Sequence, residues 1–156
     1  MTTLDEPETL PRWSTADVHE SVEARSFRMA MEARRADADR LVALFDELDV
    51  RAAEPRSPSA DDGERADRAI AAYNRAVEEL EVLDAYVYAI VATDSRDEQA
   101  QSLLSEIETI EATIRPLLAR LADWVDALDP EALAEVSDEL VAGHFAPLGE
   151  RDLVFD

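Results

Sequence analysis

Between residues 66 and 128 the apolar positions fall into two long stripes separated by the polar stretch ATDSRD, residues 92–97. In the second stripe Ile107, Ile110, Ile114, Leu117, Leu121, Trp124 and Leu128 recur at alternating steps of three and four, the period of a helix face turned to a core. In the first, Ile70, Tyr73, Val77, Leu80, Val87 and Val91 share a face that mostly excludes Glu78, Glu79 and Glu81. Two such helices joined by a short turn form an antiparallel hairpin, and the rest of the chain need only cover its open side. Ser95 stands three residues before Glu98, the capping-box spacing, so the second helix is expected to start at Ser95.

Upstream, Phe27, Met31, Ala38, Leu41, Phe45 and Leu48 repeat the same steps, with Arg34 inside the stripe. There its head must either snorkel to water along its own stem or pair with a buried carboxylate. The pattern predicts an all-α, up-and-down bundle of three long antiparallel helices over 27–50, 64–92 and 95–128, with short flanking helices near Ser14 and over 130–141. Ser14 and Asp17 have N-cap and N3 spacing, and Trp13 beside them reads as a plug for one end of the bundle. Residues 54–63, with two prolines and a glycine and no apolar period, read as a mobile surface loop in which Asp61 or Asp62 caps the next helix. Pro116 interrupts the strongest stripe, but the register continues through it, so a bend rather than a break is expected. Asp129-Pro130 reads as a cap followed by proline at the first helical position, and Gly143 as a stop. By domain, 1–13 is a flexible N-terminal segment, 14–142 the bundle, and 143–156 an apolar tail.

Composition changes the picture chiefly through charge. Against 37 acidic residues stand 15 basic ones, all arginine, for a formal net charge of −22. Such a surface repels nucleic acid and anionic lipid over about 8 Å at physiological salt, so neither is an expected partner. The chain has no cysteine, which removes disulfides, thiol nucleophiles and thiolate metal sites. The opening MTTLDEPETLPRW has no apolar run of a secretory signal, and no stretch approaches the roughly twenty apolar residues of a membrane span, so the cytoplasm is expected.

Histidine is scarce enough to test metal chemistry directly. Neither His19 nor His144 lies in HExxH, and the positions three residues before them are Ala16 and Val141, not the glutamates a di-iron bundle needs. His19 reads as a solvated or capping side chain, and His144 as a cation at a helix C-terminus. No serine sits in a G-x-S-x-G elbow, and no glycine-rich phosphate loop occurs. Tyr73, Tyr86 and Tyr88 read as core aromatics with the hydroxyl at the rim. The residues therefore predict a helical module with no catalytic, cofactor-binding or metal-ligating side chain.

Three stretches resemble a known family. LPRW at residues 10–13, YNRAVEELEVLDAYVYAI leading into ATDSRDEQAQSLLSEIE at 92–108, and RPLLARLADWVDALDPEAL at 115–133 are similar, in order, to the N-terminal region of oligoendopeptidase F, an M3-type zinc metallopeptidase. The resemblance implies an all-helical lobe over a deep cleft, admitting short peptides and excluding folded proteins. It also implies zinc ligands and a catalytic glutamate in a C-terminal domain bearing HExxH, none of which this sequence contains. The expected partners are then that missing catalytic domain in cis and short peptides, with zinc a cofactor of the full-length family and none on this chain. Phe145, Leu148, Leu153, Val154 and Phe155 read as apolar surface awaiting neighbours, open to self-association through the tail. The alternative reading is a standalone acidic module that holds a protein partner in a groove beside the hairpin.

One expectation follows from charge alone. A net −22 repels itself most in the compact state, so the thermal unfolding midpoint should rise from low to molar KCl; a flat or falling midpoint counts against this.

Overall fold

The computed structural model describes His19 and residues 21–141, and among these every regular element is a helix. The order is α1 (Arg25–Glu47), α2 (Ala60–Thr93), α3 (Glu98–Ala127), α4 (Pro130–Ala134) and α5 (Asp138–Val141). Helices α1 to α3 form the expected up-and-down bundle, and α4 and α5 fold back against α2. The reason is in the stripes: all seven apolar positions of the α3 seam are buried, and they meet Phe27, Met31, Ala38, Leu41 and Phe45 of α1 and Ile70, Leu80 and Val87 of α2. Pro116 lies inside α3 without ending it. Ala112, whose carbonyl the proline leaves without its helical donor, is exposed, so water can satisfy it.

Helix ends differ from the pattern reading, each for a local reason. Helix α1 stops at Glu47 because Asp49 turns left-handed, with φ 53°. The Asp49 amide then donates to Asp46 (3.2 Å) and the Val50 amide to Phe45 (3.0 Å), a Schellman closure whose last residue, Val50, is itself buried. Apolar periodicity thus ran past the helix into its cap. Helix α2 begins at Ala60, inside the supposed loop. Ser59 is its cap, and Asp62 completes the capping box as its third residue. At α3 the cap is Asp97, which accepts from the Ala100 amide at 2.9 Å, while Ser95 remains in the turn.

The stretch expected as one helix over 130–141 is two. Asp129 caps α4, accepting from the Glu131 and Ala132 amides as its spacing indicated. Five residues later the helix ends, and Ser137 opens α5 by accepting from Leu140 (3.3 Å) while its hydroxyl donates to Asp67 of α2 (2.6 Å). Asp67 also accepts from the Glu139 amide at 3.0 Å, so a carboxylate on α2 fixes the start of α5. Trp13, the helix near Ser14, Gly143, His144 and the apolar tail lie outside the described residues.

The close approach of this α4–α5 corner to α2 depends on Gly63. A Cβ there would stand 1.8 Å from the Val136 carbonyl oxygen, a backbone atom that cannot swing aside. Gly63→Ala should therefore destabilise the domain by about 3 kcal/mol, against the roughly 1 kcal/mol that alanine gains in helix propensity. The urea midpoint measures it, and an unchanged or higher midpoint would show that the corner is free to move.

Candidate functional site

With so many carboxylates, the informative ones are those taken out of water. Among the described residues Asp62 is the one buried carboxylate, with 2% of its side chain exposed. Its two oxygens accept from both terminal nitrogens of Arg56 at 2.7 Å each, from Arg65 at 3.1 Å, and from the amide and hydroxyl of Ser59 at 2.8 Å each. Every lone pair is used, so the cluster is a clasp and not a ligand site. Its partners carry the contacts outward. Arg65 donates to the Leu48 carbonyl at the end of α1 and lies 5.2 Å over the Trp124 ring of α3, while the Arg56 amide donates to Ala127 at the end of α3 (3.0 Å). The segment read as a mobile loop is thereby bonded directly to α3 and, through Arg65 of α2, tied to the end of α1.

Arg34 neither runs free to water nor meets a buried carboxylate, since both of its partners are partly exposed. It pairs with Asp37 at 2.7 Å and reaches across to Glu79 of α2, with 18% of its side chain exposed. Its Nε is buried and has no hydrogen-bond partner. His19 is not the solvated or capping side chain expected. Its ring sits edge-on to Phe27 (5.3 Å) and Tyr86 (5.2 Å), and its carbonyl accepts from the Tyr86 hydroxyl at 3.2 Å. The three tyrosines also part company: Tyr86 is buried, Tyr73 half-buried, and Tyr88, at 62% exposed, is a surface residue.

Among several surface grooves, one of about 280 Å³ runs along the α2–α3 seam. Its floor is Val77, Leu80, Ile114 and Leu118, with Tyr73 at one side and Glu81, Glu111 and Arg115 at the rim. Burial pushes the Tyr73 hydroxyl above its ordinary pKa, and the nearby Arg115 opposes that shift, so the phenol stays protonated and able to donate. Nothing in this lining can act as a nucleophile with its own base, and no group of three or more His, Asp or Glu among the described residues is placed to hold a metal ion. What the groove offers is apolar contact bordered by charge. Sequence reading placed Val77, Leu80 and Ile114 in the core stripes and did not single out Leu118. It had no means of telling that Val77 and Leu118 stop half-buried.

The Asp62 clasp generates a pH test. Hydrogen bonding to Arg56, more than any other contact, holds the Asp62 carboxyl well below the usual carboxylate range, outweighing the opposing effect of burial. A depressed carboxylate contributes stability that is complete above its unfolded pKa, about 4, and is lost as pH falls through the folded value. Stability should therefore decline progressively below about pH 4, and Asp62→Asn should remove that part of the slope. Because Arg56 is half exposed, the substitution should cost about 2–3 kcal/mol at neutral pH, less than a fully enclosed pair. Urea titrations of both proteins across the acid range measure it; identical acid slopes would mean Asp62 is not the group that titrates. In the comparisons with known proteins, no family, no curated protein and no solved structure matches this chain.

Proposed function

We propose that this chain is the noncatalytic helical lobe of a zinc oligopeptidase of the oligoendopeptidase F kind, shaping access of short peptides to a catalytic domain that carries the zinc. The observation that supports this reading most is where the resembling stretches fall. ATDSRD is the α2–α3 turn, the run before it is the second half of α2, and RPLLARLADWVDALDPEAL carries α3 through its closing cap into α4. A lobe of this kind works by surface and shape: it lines an opening, excludes folded substrates, and leaves bond cleavage to the HExxH domain. The acidic exterior favours entry of peptides with neutral or basic character. No described helix is long and apolar enough to cross a membrane.

A second reading, a standalone interaction module, draws on a different observation. Among the described residues the exposed large apolar side chains are Met29, Val82, Tyr88 and Val136, on three separate segments, where a lobe stripped of its neighbour would be expected to expose a broad face.

Reading the native coding frame past Asp156 separates the two. On the first proposal the frame runs on into an HExxH segment, and the whole polypeptide cleaves short peptides in a reaction abolished by a chelator and restored by zinc. A stop codon there, or a full-length product inert toward peptides with zinc bound, overturns the peptidase reading.

A further inference from the structure

The three seams of the bundle are not fastened alike. Across α1–α2, Arg34 pairs with Glu79 and Arg68 with Glu47 (3.1 Å). Across α1–α3, Arg35 pairs with Glu106 and Arg120 with Asp46 (2.9 Å). In the α2–α3 groove no such bridge closes the rim. Glu81 on α2 has no partner, and Arg115 is held within its own helix by Glu111 at 3.6 Å. Beneath that rim the floor is aliphatic, and Val77 and Leu118 are half-buried rather than covered. At about 280 Å³ the groove is at the small end of ligand pockets and encloses no cofactor, but it suits the apolar side chains of a rod laid along the seam.

We propose that the α2–α3 groove docks an amphipathic helix whose apolar ridge is flanked by arginine or lysine. Helix-in-groove packing explains the aliphatic floor, since a ridge of side chains at i, i+3, i+4 and i+7 enters a groove between two helices as a third neighbour. Charge selects the flanks. The rim offers Glu81 unpaired and Glu111 shared with Arg115, and the molecule behind it carries −22, so basic residues beside the ridge gain both a local partner and long-range steering. The same charge argues against a second copy of this chain as the occupant, because two such surfaces repel. The occupant is a helix of a separate basic protein, and the proposal depends on neither reading of this chain's own function.

The test uses a fluorescein-labelled Leu/Lys peptide with leucines at helical spacing, and a scrambled peptide of the same composition, titrated with the chain at high salt, where bare charge attraction is screened. Fluorescence anisotropy should show the helical probe binding about tenfold or more tighter than the scrambled one. Leu118→Glu should weaken it by a similar factor, and Met29→Glu, away from the groove, should leave it unchanged. Because Leu118 is half-buried, a second variant guards against misfolding: Glu81→Lys, on an exposed rim position and titrated at physiological salt, should weaken the Leu/Lys probe and strengthen a matched Leu/Glu one. Equal binding of the scrambled peptide, or indifference to both groove variants, overturns the proposal. Sedimentation of the chain without peptide covers the remaining occupant: a dimer that Leu118→Glu dissolves would place a second copy in the groove and overturn it as well.

Discussion

The lower end of the bundle hangs on one buried carboxylate. Asp62 completes the first turn of α2, and the arginines it gathers reach the last turn of α1 and the end of α3. Without it Arg56 and Arg65 would face each other across the same small space, and the connection from α1 to α2 would lose the group that sets its path. Arginine suits the task because its planar fork engages both carboxylate oxygens at once, whereas an ammonium ion meets them as a point charge. With 15 guanidiniums to 37 carboxylates, cations are the scarce resource of this molecule, and several stand where helices meet.

How far the sequence discloses this depends on the kind of signal. Periodicity found the three long helices and their inward faces, because burial of Ile107, Leu121 and Trp124 is a property of spacing alone. It failed at the ends, where local hydrogen bonding outranks the stripe. Leu48 and Val50 are apolar and buried yet lie beyond α1, since a cap can bury its own side chains. Ser59 and Asp62 stand at capping-box spacing, but the prolines and serines around them outweighed that signal in the reading of a loop. The swap of Ser95 for Asp97 is a contest between two good caps two residues apart, which spacing cannot decide. The α2–α3 groove was visible only in part: the stripes named Val77, Leu80 and Ile114 but not Leu118, and the half-burial that makes a groove depends on how far two helices separate.

The same economy of cations sets how the seams are fastened. Bridging pairs fasten α1 to both of its neighbours, so α1 acts as a strut, while the hairpin of α2 and α3 keeps an unbridged outer groove. On both proposed readings, apolar shape supplies affinity, and the acidic field supplies selection and approach rate.

The helix ends carry one more consequence. Chains commonly stop helices with glycine, but here aspartate turns left-handed after both α1 and α3, and the last turns of all five helices lack a basic residue. Negative charge at a helix C-terminus opposes the macrodipole, so each stop signal also weakens the turn it closes, and counterions relieve that strain. Fraying in dilute buffer is thus polarised. Amide exchange should run faster at the C-terminal than at the N-terminal turn of α2, whose start is held by the Ser59–Asp62 box, whereas Arg65, Arg68 and Arg120 offset the same charge at the end of α1.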